Sequence, residues 1–373
     1  MNSDIMVTRP FLPDRELFDK YIDKIWDTQW LTNQGPLHEQ FRAALKEYLK
    51  VPYLTPTVNG HLALEIAIKG LGLSGEVITT PFTFASTIHA LTMNNIKPVF
   101  CDIKKDDFTI NPDLIEGLIT DKTTAIMPVH VYGHVCNVEK INKIAEKYNL
   151  KVLYDAAHAF GVKKDNVSIG LYGDVSAFSF HATKLFNTIE GGALVYKNSS
   201  YERLFNAYKN FGIEGEETVS FIGGNAKMNE FQAAMGLTNL PYMEKIIEDR
   251  KTSTLKYREL LGKIPGIYFY VPENDESIEY NYAYMPIQIR PESHITRDEL
   301  FVGLKEAHIF PRKYFYPIAT QYECYKKDSQ NYDIPIAEMV SNNVLTLPLY
   351  FNMGINTVEF VCNKIEELVM KHY

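Results

Sequence analysis

Short runs of apolar residues alternate with amphipathic segments between about residue 53 and residue 196. The runs are rich in β-branched and aromatic residues, which is typical of parallel strands that are buried on both faces. They lie at 77–80, 98–103, 125–131, 152–154, 176–180 and 193–196. Strands that alternate with helices predict an α/β fold with a mostly parallel central sheet.

The flanking segments have a different pattern. Helical periodicity covers residues 12–28 and 37–49 before the alternating region, and residues 226–260 after it. Strand-like runs follow at 267–271 and 283–289, and helices are predicted over 297–307 and 357–371. A chain of 373 residues can form two domains. We therefore predict a large domain over residues 1–245 and a smaller α/β C-terminal domain over residues 246–373.

Lys184 lies between two strand-like segments, in the run that ends with Glu190, Gly191 and Gly192. Partial burial lowers the pKa of an ammonium group, and a neutral lysine amine is a good nucleophile for carbonyl groups. This chemistry suits covalent binding of pyridoxal phosphate. Taken alone, a lysine on a solvated loop explains the position equally well.

Asp155 follows the apolar run 152–154, at the carboxyl end of a predicted buried strand. Ligands of open α/β sheets bind outside the carboxyl ends of the strands. A buried carboxylate there can keep the pyridine nitrogen of the cofactor protonated, and His158 follows three residues later. The alternative role for Asp155 is that of a helix N-cap.

The phosphate of such a cofactor requires backbone donors at a helix N-terminus. Gly60 and His61 follow Asn59 and precede a helical apolar face, so their amides are candidate donors. Ser179 supplies a candidate hydroxyl five residues before Lys184. Phe82 or Phe84 is a candidate aromatic platform for the ring, although an aromatic residue in this place is more often a core residue.

Composition excludes several classes of protein. The net charge of −8 and the pI near 5.7 give no general attraction to nucleic acid or anionic membranes. The four cysteines form no C-x-x-C pair, and no apolar run is long enough to span a membrane. The N-terminus has no apolar segment of the kind found in signal peptides, so a cytoplasmic enzyme is expected.

The motifs together resemble the DegT–StrS family of sugar-nucleotide aminotransferases, whose members have the fold-type-I (aspartate aminotransferase-like) architecture and use pyridoxal phosphate. The resemblance extends over nearly the whole chain. It rests on the order and spacing of the matching segments. The segments are 30–36, 81–87, 128–133, 155–159, 179–184, 190–192, 224–237 and 312–315.

The resemblance implies a role for each matching residue. Lys184 binds the cofactor covalently and is, with Asp155, catalytic. Gly60, His61 and Ser179 match positions that bind the phosphate, and the family commonly has threonine or serine where this chain has His61. Phe84 matches the aromatic residue that stacks on the ring, His158 lies near the ring hydroxyl, and Asn225 reaches the phosphate of the partner subunit. Thr32, His181 and Tyr314 are candidates for the substrate pocket.

The resemblance also implies the reaction. The sequence around Lys184 is similar to the branch that aminates C4 of a dTDP-linked 4-keto-6-deoxyglucose, with L-glutamate as the amino donor, in a homodimer with shared active sites. Amination at C3 of the sugar and a non-catalytic regulatory protein of the same fold are the alternatives. A sugar dehydratase of this fold has histidine in place of Lys184, and the lysine argues against that activity.

Overall fold

The computed structural model describes residues 4–272, 275–327 and 332–373, and it confirms the predicted α/β architecture. The helices are α1 (Arg15–Thr28), α2 (Pro36–Leu49), α3 (Gly60–Gly70), α4 (Ala85–Met93), α5 (Pro112–Ile115), α6 (Val138–Tyr148), α7 (Ser200–Tyr208), α8 (Glu230–Asn239), α9 (Met243–Leu261), α10 (Arg297–Glu306), α11 (Pro335–Asn343) and α12 (Ile355–Met370).

The described strands are short, and none has more than five residues. They are β1 (Ile5–Met6), β2 (Tyr53–Thr57), β3 (Glu76–Thr79), β4 (Lys97–Phe100), β5 (Thr123–Met127), β6 (Lys151–Asp155), β7 (Lys163–Lys164), β8 (Val167–Ser168), β9 (Val175–Ser179), β10 (Gly192–Tyr196), β11 (Ile213–Gly215), β12 (Thr218–Val219), β13 (Ile267–Tyr268), β14 (Ile278–Glu279), β15 (Met285–Ile289), β16 (Ile309–Phe310) and β17 (Val344–Leu347).

The central sheet of the described chain has the strand order β2-β10-β9-β6-β5-β3-β4. Strands β4, β3, β5, β6 and β9 are parallel, whereas β10 runs antiparallel to both β9 and β2. Strand β2 therefore runs in the same direction as the parallel strands. The carboxyl ends of six strands and the start of β10 consequently meet at one edge of the sheet.

A second, smaller sheet has the order β13-β15-β17 and is antiparallel. Helices α9, α10 and α12 cover it, and their apolar faces form a separate core around Tyr257, Leu300, Leu345 and Ile365. Helix α9 extends continuously across residue 245, where the sequence analysis divides the chain. The division into two domains at that residue stays a prediction.

Most predicted elements agree with the observed ones to within a few residues at each end, as expected for boundaries derived from periodicity. The pattern did not predict β2, because Pro56 lies within it and proline disfavours a strand interior. The strand forms because it is at the edge of the sheet, where Pro56 pairs with Ala193 of β10.

Residues 5–11 connect the small sheet with the central part of the chain. Strand β1 pairs with β16 beside the small sheet, and the side chain of Asn187 donates to the carbonyl of Phe11. Among the described residues, no helix has the combination of length and apolar character that is needed to cross a bilayer.

Candidate active site

A cavity of about 460 Å³ opens at the edge of the central sheet where the strand ends meet. Loops that follow the strands near the centre of the sheet form its wall. The lining residues include Asn59, Gly60, His61, Thr83, Phe84, Ser86, Asp155, His158, Ser179, His181, Thr183, Lys184, Glu190, Tyr284, Arg312, Tyr314 and Phe315. The topology therefore brings together most of the residues that the sequence singled out.

Lys184 lies in the loop between β9 and β10, and its backbone N–H donates to the carbonyl of His181. Burial lowers the pKa of its ammonium to about 8, an effect that Asp155 and Tyr314 oppose. About a tenth of Lys184 is then neutral at pH 7, against almost none for a solvated lysine, and the neutral amine is the nucleophilic form.

Asp155 ends β6 and is 5% exposed. Its Oδ2 accepts a hydrogen bond of 2.7 Å from Thr87 Oγ1, and its Oδ1 accepts one of 3.0 Å from the amide of Ala157. Burial raises the pKa of the carboxyl, while these two donors and the charge of Lys184 oppose the rise. No helix starts at Asp155 in the described chain, so the alternative role as a helix N-cap is wrong.

His158 is buried in the loop that follows β6, three residues beyond Asp155. Its Nδ1 accepts a hydrogen bond of 2.9 Å from the amide of Tyr132, so the proton of the neutral ring is on Nε2. Burial first, and then the charge of Lys184, lower the pKa of His158 well below its usual value. The residue is therefore a neutral hydrogen-bond donor in the wall of the cavity.

The start of α3 forms one corner of the cavity. Asn59 caps the helix by accepting from the amide of Leu62 at 2.8 Å. Within the described chain, the amides of Gly60 and His61 have no acceptor, as is usual for the first turn of a helix. A Cβ atom on Gly60 would lie 2.8 Å from Cβ of Ser179, so the serine is next to this helix start.

The two glycines after Glu190 allow this close approach. A Cβ atom on Gly192 would lie 2.7 Å from the carbonyl carbon of Asn59, and one on Gly191 would overlap Oγ1 of Thr188. Only a residue without a side chain lets β10 pass so close to the start of α3. The Glu-Gly-Gly run thus determines where the corner lies.

His61 contacts the start of a second helix. Its Nδ1 is 2.8 Å from Oγ of Ser86 in α4, and its Nε2 is 3.1 Å from a carboxylate oxygen of Glu65. The imidazole occupies the place where the resemblance leads one to expect a small hydroxyl side chain. The hydroxyl of Ser86 is present in the same part of the wall.

Aromatic side chains form the rim. Phe84, at the turn between β3 and α4, is 57% exposed and lines the cavity, whereas Phe82 is fully buried in the core. Phe84 is therefore the candidate platform. Tyr284 and Tyr314 come from the C-terminal part of the chain, and the hydroxyl of Tyr132 donates to the carbonyl of Tyr314.

The candidate substrate residues are distributed unevenly. His181 and Tyr314 line the cavity, and His181 Nδ1 is 2.8 Å from Oγ1 of Thr183. Thr32 and Asn225 are exposed and do not line the cavity of this subunit. Among the described residues, no cluster of histidine, cysteine and carboxylate side chains is arranged to hold a metal ion.

The sequence analysis did not single out several residues in and behind the wall. Thr83, Thr87 and Arg312 are examples, and all three lie in segments that carry the resemblance. Thr83 lies in the loop that follows a predicted buried strand, which was a usable signal, whereas Thr87 lies inside α4 and no local pattern relates it to Asp155. Tyr284 comes from the segment that precedes β15, and no pattern in the sequence relates that segment to Lys184.

A family match identifies the class of this protein as an aminotransferase. The family model for the DegT/DnrJ/EryC1/StrS aminotransferases matches residues 13–366. The chain belongs to this family.

Two relatives are similar over nearly the whole chain. The dTDP-4-amino-4,6-dideoxy-D-glucose transaminase of Shigella dysenteriae is 41% identical over 368 residues, covering 99% of this chain and 100% of the relative. The transaminase of the same name from Escherichia coli is 40% identical over 370 residues, covering 98% of each. Among solved structures, DesI with its TDP-sugar product has a TM-score of 0.94 at 32% identity, covering 100% of this chain and 94% of that one.

Proposed function

We propose that this protein is a pyridoxal-phosphate-dependent aminotransferase that converts a nucleotide-linked 4-keto-6-deoxy sugar to the 4-amino-4,6-dideoxy sugar, with L-glutamate as donor. The observation that carries the proposal is the placement of Lys184 and Asp155 in one cavity. There, burial lowers the pKa of the lysine to about 8 and withdraws the carboxylate from water.

The wall fits the cofactor. The free amides of Gly60 and His61 and the hydroxyl of Ser179 would hold a phosphate at the start of α3. Asp155 would pair with the ring nitrogen, and Phe84 would cover one face of the ring. His158, with its proton on Nε2, would donate to the ring oxygen.

Pyridoxal phosphate, when bound, supplies a carbonyl group that condenses with amines and a protonated ring that withdraws electrons. Side chains of the protein supply the proton transfers and the electrostatic stabilisation. Lys184 Nζ, in its neutral form, would accept the proton from the α-carbon of the donor, and the resulting ammonium would then act as the proton donor. Asp155 would keep the ring nitrogen protonated, and the buried wall would lower the dielectric constant around both groups.

Arg312 and Glu190 give the cavity its remaining charges. A guanidinium is suited to bidentate binding of a carboxylate. Arg312, with its guanidinium carbon 4.9 Å from the ring centre of Tyr314, is our candidate for binding the carboxylate of glutamate.

Two relatives that are 40–41% identical to this chain are named as dTDP-4-amino-4,6-dideoxy-D-glucose transaminases. Their names support amination at C4 of a dTDP-linked sugar. The experiment is to incubate the purified protein with L-glutamate and a panel of keto-sugar nucleotides. We expect turnover with the dTDP-linked 4-keto-6-deoxyglucose and little with its 3-keto isomer or a GDP-linked 4-keto sugar. Preferred turnover of the 3-keto isomer would favour the C3 alternative, and turnover of none would favour the regulatory alternative.

The functional unit that we propose is a homodimer whose subunits share the active sites, in the cytoplasm. Asn225 is exposed and outside the cavity of its own subunit. The hairpin of β11 and β12 and the segment that follows it have exposed apolar residues, with Val219 68% and Ile222 92% exposed. Exposed apolar groups of this kind are typical of protein interfaces. The position of Asn225 is consistent with a contact to the cofactor phosphate of the partner subunit.

Mixing two inactive variants, Lys184→Ala and Asn225→Asp, should restore activity if the sites are shared. The substitution of Asn225 would place a carboxylate against the phosphate, and repulsion in a poorly solvated site should expel the cofactor. In a mixed dimer both lesions can fall in one site and leave the other intact, giving up to about half of the activity per mixed dimer.

The control is a mixture of Lys184→Ala with Asp155→Asn. Both of these residues line the cavity of their own subunit, so each site of a mixed dimer retains a lesion and no activity should return. Subunit exchange is verified by mass in both mixtures. If exchange occurs and the first mixture stays inactive, Asn225 acts within its own subunit and the shared-site proposal fails.

A further inference from the structure

Two threonines of the β3–α4 region form a chain of hydroxyl groups that ends on Asp155. Thr83 Oγ1 and Thr87 Oγ1 are 2.8 Å apart, and Thr87 Oγ1 is 2.7 Å from Oδ2 of Asp155. Thr83 is 1% exposed and Thr87 fully buried, yet Thr83 lines the cavity. The chain therefore connects the cavity wall to the carboxylate through the protein interior.

The direction of the hydrogen bonds follows from the charge on Asp155. An ionised carboxylate only accepts, so Thr87 donates its proton to Oδ2. The oxygen of Thr87 is then the acceptor for the hydroxyl of Thr83. With Ala157 donating to Oδ1, the carboxylate retains lone pairs for one further donor in the cavity.

Two other threonines in the described helices bond instead to the preceding turn of their own helix. Thr238 in α8 donates to the carbonyl of Ala234, four residues earlier, at 2.7 Å. Thr92 in α4 bonds in the same way to the carbonyl of Ile88. This back-bonding is common for threonine in a helix. Thr87 instead donates across the structure to a residue 68 positions away.

The surroundings explain what this hydrogen bond does. Burial raises the pKa of Asp155, and Thr87 is the strongest of the groups that oppose the rise, ahead of the amide of Ala157 and the charge of Lys184. His158, on the same loop as Asp155, is held neutral by burial. The charged group that faces the carboxylate from another element is Lys184, whose own charge is reduced by burial.

We propose that Thr87, supported by Thr83, is a positioning residue that keeps Asp155 ionised and orients its free lone pairs toward the ring nitrogen of the bound cofactor. This proposal rests on the proposed function of the site. It assigns a task in the reaction to two residues that lie beside the carboxylate.

The test compares Thr87→Val, which has nearly the same shape without the hydroxyl, with Thr87→Ser, which retains it. Thr238→Val is the matched control, because it removes an equally buried hydroxyl that is bonded to a backbone carbonyl. The first measurement is the melting temperature of the full chain, freed of cofactor, as a function of pH.

The expected pH dependence has a definite sign. The pKa of Asp155 in the folded chain lies above the ordinary 3.8, so folding stability falls as pH rises through the interval between these values. Thr87→Val raises the folded pKa further, so the same fall continues to higher pH. The decrease in melting temperature caused by Thr87→Val should therefore be larger at a pH above the folded pKa of Asp155 than at a pH below the ordinary value of 3.8. The decrease caused by Thr238→Val should be the same at every pH.

The second measurement uses the holoenzyme. Thr87→Val should lower kcat by about ten- to hundredfold, as expected for a lost hydrogen bond to a charged group, with little change in KM for the keto sugar. The pH at which the visible absorption of the bound cofactor changes should also shift. Thr87→Ser should restore most of kcat and the absorption profile.

The proposal would be overturned if the decrease in melting temperature caused by Thr87→Val did not depend on pH, as expected for Thr238→Val. A kcat of Thr87→Val within twofold of the wild type would also overturn it, whatever the melting behaviour. The melting comparison needs no cofactor and no substrate. It can therefore fail or succeed independently of the proposed transamination, whose own test is the turnover of the keto-sugar panel.

Discussion

Lys184→Ala should abolish transamination and covalent capture of pyridoxal phosphate. Loss of the group that moves the proton costs about 10²–10⁴-fold in rate, and loss of the covalent attachment adds to this. Wild-type protein should be yellow with bound cofactor, and borohydride should fix the cofactor on Lys184. The measurement is peptide mass mapping after reduction, together with turnover of the keto sugar.

Lys209 provides the matched control for this experiment. Burial lowers its pKa to about 7, so it is another lysine with a substantial neutral fraction, but it does not line the cavity. Lys209→Met should retain the reduced adduct on Lys184. An adduct on Lys209, or on no lysine, would contradict the role of Lys184.

The rate of capture should also depend on pH in a defined way. Only the neutral amine attacks a carbonyl group, and the pKa of Lys184 is lowered from 10.5 to about 8. The capture rate of the cofactor-free protein should rise with pH and reach half of its maximum near a pH of about 8. A midpoint near 10.5 would indicate a solvated lysine.

Asp155→Asn should leave the cofactor bound and lower the rate of the half-reaction with glutamate by about 10²–10⁴-fold. An amide is neutral and cannot hold the proton on the ring nitrogen, while its shape and the hydrogen bond from Ala157 can be retained. The measurements are cofactor content after dialysis and the single-turnover rate with glutamate.

Asp102→Asn is the corresponding control. Asp102 is 4% exposed and accepts from the amides of Ile336 and Ala337 at the start of α11, outside the cavity. Its replacement should lower the melting temperature but leave the turnover of the folded protein near that of the wild type. Near-normal turnover in Asp155→Asn would show that this carboxylate also has a structural role only.

Much of the candidate site was predictable because position along a strand determines position in a parallel sheet. Asp155 and Lys184 each come after a predicted buried strand, and the carboxyl ends of parallel strands share one edge. The start of α3 was recognisable from Asn59 and Gly60, although its strand β2 was not. The residue pattern left Phe82 and Phe84 as alternatives, whereas the resemblance implied Phe84, and the structure exposes Phe84 and buries Phe82.

The sequence by itself determined the α/β class, the order of the strand-end residues and the family to which the chain belongs, since these follow from periodicity and from motifs of local range. Tertiary structure alone decided which groups meet across long separations. Pairing of β2 with β10 brings the start of α3 to Ser179, and the C-terminal part of the chain delivers Tyr284 and Tyr314 to the same cavity. The hydrogen bond from Thr87 to Asp155, and the burial that shifts the pKa values of Asp155 and Lys184, also arise only there. Desolvation depends on all the atoms around a group, and no local pattern along the chain specifies them.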